Sequence, residues 1–142
     1  MNYSEIFSTF LIDLQSYFRQ SISYSGASHQ QLIALLVIPN EGIEMNQLAS
    51  KIGIKNSTLT RLVDGLKFKK WIKKKQQLED KRVTKVFLSS QGVEVQNYLI
   101  KRIEKLGNEV EKSVGGANSQ EIIENLSMLQ WGVLKSKHNK IV

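Results

Sequence analysis

The sequence predicts a mainly α-helical protein with one small β-hairpin, an α+β fold class. Apolar residues recur at spacings of three and four over most of the chain, the period of an amphipathic helix. One central stretch, 71–89, instead carries β-prone residues on both sides of a polar tip. The chain has 142 residues, the size of one ordinary domain.

The N-terminal part predicts two helices. Apolar residues of Ser4–Ile22 form one stripe, and the polar stretch Ser23–Gly26 breaks it. Ser28 and Gln31 have the Ser-x-x-Gln spacing of a capping box, in which each side chain bonds the other residue's backbone N–H. A strongly apolar helix follows over Leu32–Ile38, and a proline stops it.

Two shorter helices follow, at Met45–Ile52 and from about Asn56 or Ser57 to Lys69. Gly53 lies between them, and Ala49 is small enough to permit close packing. This is the pattern of a helix-turn-helix, although many helical hairpins share it.

The segment after these helices makes the pattern more specific. The stretches Trp71–Gln77 and Val83–Ser89 predict two strands around a polar tip at 78–82, with Phe87 interrupting the strict alternation. A helix-turn-helix followed directly by a basic hairpin is a winged helix.

Two more helices are expected after the hairpin. A long helix begins at Ser89 or Ser90 and ends at Gly115, and a last helix starts at Asn118 or Ser119. We expect a single domain, 1–142, with a winged-helix DNA-binding lobe at 28–92. The flanking helical regions, 1–24 and 93–142, carry much apolar surface and are expected to form a dimerisation region.

Positive charge is concentrated in one quarter of the chain. Residues 51–85 contain twelve Lys or Arg and three acids, a net charge of +9, whereas the remainder has a net charge of −2. A localised excess of this size favours a polyanion such as double-stranded DNA as the partner.

The second helix of the pair has two different faces. Leu59, Leu62, Val63 and Leu66 share one face, and the other carries Ser57, Arg61, Asp64 and Phe68. Hydroxyls and an arginine near a helix amino terminus suit a DNA major groove. The candidate major-groove residues are Asn56, Ser57, Thr58, Thr60 and Arg61.

The hairpin supplies a second candidate contact. Asp80 can form a surface ion pair with Arg82, or hold that guanidinium in one pose for a narrow minor groove. The candidate phosphate contacts on this wing are Lys73, Lys74, Lys75, Lys81 and Lys85.

From about Met45 to Gly92 the chain resembles the MarR family of winged-helix regulators. The resemblance lies in Gln47-Leu48-Ala49-x-x-Ile52-Gly53 and Ser57-Thr58-Leu59-Thr60-Arg61-Leu62-Val63-Asp64-x-Leu66. It continues in Trp71-Ile72-x-Lys74, Glu79-Asp80-Lys81-Arg82 and Leu88-Ser89-x-x-Gly92. Lys55, Lys70 and Leu78 depart from the family pattern, and with Lys55 at the usual capping position Asn56 is expected to cap the helix instead.

The resemblance implies a transcriptional repressor that binds a pseudo-palindromic operator as a homodimer and is released by a small aromatic or anionic effector. It implies that Ser57, Thr58, Thr60 and Arg61 face the major groove, and that Arg82, positioned by Asp80, enters the minor groove. A cytoplasmic location is expected from the sequence itself, because the longest apolar run, Leu32–Ile38, has only seven residues and is too short to cross a membrane.

Other functions have less support in the sequence. There is no cysteine, the two histidines are isolated, and no Gly-rich phosphate loop or paired carboxylates appear, so we expect no enzyme, cofactor or metal site. A winged helix used for non-specific DNA or protein contacts is the alternative, and Phe68 would favour it if exposed. Tyr17, Phe18, Tyr24 and Trp131 are candidates for lining a pocket, although aromatic residues in helical stripes more often belong to a core.

Overall fold

The computed structural model describes residues 1–139 and confirms the mainly helical fold with a small hairpin. Its helices are α1 (Tyr3–Ser21), α2 (His29–Val37), α3 (Met45–Ile52), α4 (Asn56–Phe68), α5 (Ser90–Val114) and α6 (Ser119–Asn139). Its strands are β1 (Ile43–Glu44), β2 (Ile72–Gln76) and β3 (Thr84–Leu88). A short 3₁₀ helix at Gly116–Asn118 precedes α6.

The helix ends follow local side-chain chemistry. The predicted capping box opens α2, because the Gln31 amide donates to Ser28 Oγ at 3.1 Å and the Ser28 amide donates to the Gln31 side chain at 3.0 Å. Gly53 ends α3 in the left-handed conformation (φ +74°), which glycine adopts without steric cost. The expectation that Asn56 caps α4 is wrong, since Asn56 is its first helical residue and Lys55 occupies the cap position.

The hairpin belongs to a three-stranded antiparallel sheet in the order β1-β3-β2. The two-residue strand β1 was not predicted, and it pairs Ile43 with Val86 of the central strand. Phe87, which interrupts the alternation, packs against the backbone at Gly42, where a Cβ would lie only 2.5 Å from the ring. The interruption therefore comes from a contact with the loop before β1.

The winged-helix elements share one apolar core. Leu32 and Leu35 from α2, Leu48 from α3, Leu59 and Leu66 from α4, Val86 from β3 and Leu99 from α5 are all buried. The predicted inner face of α4 is confirmed, because Leu62 and Val63 are buried with its two core leucines. Burying one face of α4 fixes the direction in which its opposite face points.

A tight junction connects the hairpin to α4 and α5. Lys70 follows α4 with φ +65°, a left-handed conformation that glycine would adopt more easily. Its carbonyl accepts a hydrogen bond of 2.6 Å from Ser89 Oγ, and the Ser89 amide donates to the Trp71 carbonyl at 2.9 Å. Gly92 is required here, since a Cβ would come within 1.9 Å of the Trp71 oxygen. Lysine thus preserves the turn at the cost of strain.

The chain divides into two compact units, 1–103 and 104 onwards. In the first unit α1 has no buried residue, and its apolar side chains Ile6, Phe7, Phe10, Leu11 and Leu14 are exposed. In the second unit the described part of α6 likewise has no buried residue, and Ile123, Leu126, Trp131 and Leu134 are exposed. Within 1–139, no helix is both long and apolar enough to cross a membrane.

Candidate nucleic-acid interface

The outer face of α4 carries the predicted major-groove residues. Asn56, Ser57, Thr58, Thr60 and Arg61 are all exposed, opposite the buried leucines. Phe68, at the end of the same helix, is 89% exposed. A polar surface one helix wide is therefore available to a partner.

The hydroxyl of Thr60 has a restricted role. Thr60 Oγ1 donates to the Asn56 carbonyl one turn earlier at 2.9 Å. Because a hydroxyl has one hydrogen and two lone pairs, the oxygen remains free to accept a hydrogen bond. In this pose Thr60 can accept from a base amino group in a major groove.

The amino terminus of α4 is open to an anion. No side chain caps its first turn, and the flanking Lys55 and Asn56 are exposed. Backbone N–H groups and the positive end of the helix dipole favour a negative group at such a position. An acceptor such as a DNA phosphate would satisfy the N–H groups that a capping residue usually satisfies.

The wing arginine is paired with a carboxylate, a contact that both interpretations of the sequence expect. Arg82 Nε donates to Asp80 Oδ1 at 3.1 Å, Arg82 Nη2 donates to Oδ2 at 3.3 Å, and the Arg82 amide donates to Oδ1 at 3.0 Å. These bonds lower the pKa of Asp80. The Arg82 side chain is nevertheless 91% exposed, so it is oriented while its outer edge remains accessible.

The wing lysines fall into two groups. Lys73, Lys75 and Lys81 are exposed. Lys74 differs, because its Nζ lies 2.6 Å from Asp64 Oδ1 on α4 and its side chain is only 24% exposed. Lys85 is half-buried, with its Nζ 5.9 Å from the centre of the Phe87 ring. The expected set of equivalent phosphate contacts is thus not uniform.

A cleft of about 340 Å³ separates α4 from the wing. Of the predicted residues it brings together Asn56, Thr60, Lys74 and Arg82. Ser57, Thr58, Arg61, Lys75, Asp80 and Lys81 are not among its lining residues. Asn46 of α3 and Thr84 of β3 line it and were missed, because the sequence does not show which residues of these two elements face the cleft.

The described residues contain no group of three or more His, Asp or Glu side chains placed to hold a metal ion.

Comparison with known proteins places this region in a family. Residues 30–84 match the model of the MarR family. No curated protein matches the chain.

Solved structures share the complete fold at low sequence identity. A crystal structure of MarR superposes with a TM-score of 0.81 at 16% identity, covering 98% of this chain and 95% of that one. The regulator SlyA gives a TM-score of 0.75 at 14% identity, covering 97% of this chain and 98% of its own. MepR of S. aureus, in a complex with DNA, gives 0.67 at 16% identity and covers 93% and 98%. Residues 30–84 therefore resemble the MarR family in sequence, and the described chain shares the fold of these solved structures.

Proposed function

We propose that this protein is a sequence-specific transcriptional repressor that binds a pseudo-palindromic operator as a homodimer and is released by a small aromatic or anionic effector. The observation that carries the proposal is the pairing of two exposed elements beside one cleft. These are the polar face of α4 and an arginine held at the wing by Asp80.

The two elements suit the two grooves of DNA. The α4 face offers Arg61 for a guanine edge and Thr60 as an acceptor, next to an open helix amino terminus for a phosphate. A guanidinium on a hairpin tip suits a narrow minor groove, where the negative potential is enhanced. The solved complex of MepR with DNA supports DNA as the ligand of this fold.

Homodimer formation is supported by the apolar surface of the terminal helices. Neither α1 nor the described part of α6 buries a residue within one chain, and both expose several large apolar side chains. Surfaces of this kind usually mark a protein interface. A two-fold dimer would present two α4 helices to successive major grooves, about one helical turn or 34 Å apart.

Selection of bound fragments from the source genome, followed by footprinting, tests the proposal. We expect one enriched motif with a dyad, protected symmetrically on one face of the duplex. Sedimentation equilibrium should give twice the mass of the 16.2 kDa chain. A folded monomer, or protection of a single half-site at saturation, would contradict the proposal. Repression is tested separately, with a reporter gene under the selected operator.

A protein-binding or non-specific DNA-binding role is the second candidate, because Phe68 and Leu78 are 89% and 95% exposed. Two apolar side chains that are almost fully exposed next to the basic surface suit a protein contact. The two roles differ in the ratio of affinities for the selected site and for random DNA. Operator binding predicts a ratio of about 10³ or more, whereas non-specific binding predicts a ratio near one.

A further inference from the structure

One large apolar side chain at the tip of the hairpin packs against almost nothing in the chain. Leu78 is 95% exposed. Within residues 1–139, the other exposed large apolar side chains lie on α1, α5 and α6, apart from Met1 and Phe68. Those three helices belong to the expected dimerisation region, whereas the wing tip lies outside it. The expected dimer interface therefore does not account for Leu78.

Hydrogen bonds at the tip of the hairpin hold this leucine on the same short loop as the oriented arginine. The Gln77 amide donates to the Val83 carbonyl at 2.9 Å and closes the loop at its base. Leu78 and Arg82 are the first and last residues of the loop beyond this hydrogen bond. The Val83 amide donates to the Asp80 carbonyl at 3.0 Å, while the Asp80 carboxylate binds Arg82. A leucine and a guanidinium, both more than nine-tenths exposed, therefore protrude from one hydrogen-bonded loop.

Positive charge on the wing lies on its strands rather than at its tip. The strands β2 and β3 carry four lysines and no acid. The loop 78–82 has two acids and two basic residues, so its net charge is zero. Phosphates border both sides of a DNA minor groove, and base edges form its floor. The basic strands therefore suit the border of the groove, while a neutral tip with a bare leucine suits its floor.

We propose that Leu78 is an apolar wedge that enters the minor groove beside Arg82, partly unstacks one base step and bends the duplex. Proteins that bind the minor groove insert leucine and similar side chains between neighbouring base pairs, which kinks the DNA. Removing the leucine surface from water offsets part of the cost of unstacking. The guanidinium of Arg82 anchors the tip by charge, and the leucine supplies the contact with the bases. The inference rests on the proposed function, because it takes DNA as the ligand of the wing.

A wedge at this position makes one base step of the flank a determinant of specificity. Pyrimidine–purine steps such as TpA unstack and kink easily, whereas runs of ApA are stiff and have a narrow minor groove. Arg82 acting by charge alone favours the narrow groove of ApA runs. Leu78 acting as a wedge favours TpA. Because the two steps have the same A/T content, a preference for TpA separates the wedge from the attraction of a cation to the groove.

Two substitutions of similar length test the apolar character of residue 78. Leu78→Met keeps an apolar wedge, whereas Leu78→Gln has nearly the same shape and is polar. Neither should disturb folding, since Leu78 is 95% exposed, and equal urea midpoints check this. Energy transfer between the ends of the bound duplex should report a bend of about 20° or more per wing for the parent chain and L78M. L78Q should reduce this bend by about half or more, because a polar side chain gains less by leaving water. Fluorescence of 2-aminopurine, placed at successive adenines of the flank, should rise at one step per half-site with the parent and L78M but not with L78Q.

Exchange of the base step completes the test. Replacing TpA with ApA at the unstacked position should raise the Kd of the parent chain about threefold or more and that of L78Q less than about twofold. A straight and fully stacked complex of the parent chain, or equal bending by L78Q, overturns the wedge and leaves Leu78 to a protein contact. Binding to random DNA without choice of an operator refutes the proposed function alone, because 2-aminopurine in a random duplex with TpA steps still decides whether Leu78 unstacks a step. Absence of binding to any duplex overturns both.

Discussion

Lys74 Nζ lies 2.6 Å from Asp64 Oδ1, which joins the second strand of the sheet to the helix with the candidate base-contacting face. Their side chains are 24% and 57% exposed, so solvent screens much of the attraction. The value of the pair to stability is therefore under about 1 kcal/mol. The pair also holds the Lys74 ammonium against α4, whereas the ammonium groups of the exposed wing lysines lie in solvent.

Lys74→Ala and Lys75→Ala should therefore behave differently. Lys75 is exposed, and its removal should lower affinity evenly across DNA sequences. It should also reduce the salt slope, the slope of the logarithm of the binding constant against the logarithm of salt concentration, by about one. Lys74→Ala should change this slope by less than half of the change in Lys75→Ala. It should also reduce the preference for the operator over random DNA. Asp64→Asn should reproduce the loss of preference. Equal salt slopes for the two lysine variants would show that Lys74 is an ordinary phosphate contact.

Asp80 and its neighbour Glu79 provide a matched pair of acids on the wing. Removing any acid near DNA should tighten binding if only net charge matters. Glu79 is exposed and lies outside the Arg82 bonds, so Glu79→Ala should leave affinity unchanged or slightly higher. Asp80→Ala should lower it, because three hydrogen bonds that orient Arg82 are lost.

Quantitative mobility shifts on one operator measure both wing variants. Arg82→Ala should weaken binding more than Asp80→Ala. It should also remove the preference for A/T-rich flanks, because a guanidinium in the minor groove favours the narrow groove of such sequences. If Asp80→Ala binds more tightly than the parent chain, Arg82 is only one more solvated charge.

Arg61 is expected to contact a base edge. Arg61→Ala should cost about 1–3 kcal/mol on the operator and relax the sequence preference at one position. Arg61→Lys should not restore it, because lysine lacks the two-pronged geometry. Lys67→Ala, on an exposed position of the same helix, is the control and should not alter the selected motif. A uniform loss of affinity in the Arg61 variants would assign this residue to the phosphate backbone.

The fold was largely predictable because its elements are encoded locally. The capping box at Ser28, the left-handed Gly53 and the apolar face of α4 each follow from a short stretch of sequence. The strand β1 was missed because two residues have no period of their own, and only pairing with Val86 makes them a strand.

The candidate site was predictable in composition and less so in geometry. The helical period of the sequence predicts which residues of α4 are exposed. The contact between Asp80 and Arg82 is predictable because the two residues are only two positions apart on the tip of a hairpin. The Lys74–Asp64 contact spans ten positions and two elements, so no local pattern predicts it. Likewise, Phe18 was a pocket candidate, but Arg19 and His29, which line the same cleft, were not. Three separate elements build this cleft, namely α1, α2 and the turn that joins α3 to α4.

Replacing Lys70, in the strained turn after α4, with glycine should stabilise the folded chain. Lys70 has φ +65°, a conformation that costs a residue with a Cβ about 1–2 kcal/mol, whereas glycine adopts it freely. Lys70→Gly should raise the free energy of unfolding by about 0.5–1 kcal/mol in urea, after the entropy cost of glycine. Lys70→Ala keeps the strain and should give no gain. A Lys70→Gly variant less stable than Lys70→Ala would show that the flexibility of glycine in the unfolded chain costs more than the strain it relieves.

His29 should make stability depend on pH. Burial, and then the charge of Arg19, lower the pKa of His29 in the folded chain, while the unfolded chain keeps the ordinary value near 6.5. As the pH falls below that value, the unfolded state takes up the proton first. Stability is therefore present above about pH 6.5 and is lost as the pH falls toward the folded pKa.

Urea titrations between about pH 7.5 and 5 measure this loss for two matched variants. His29→Gln should flatten the dependence in this range, because the titrating group is gone. His138→Gln should leave it unchanged, since His138 is exposed near the end of α6. A slope that survives His29→Gln would assign the effect to another group.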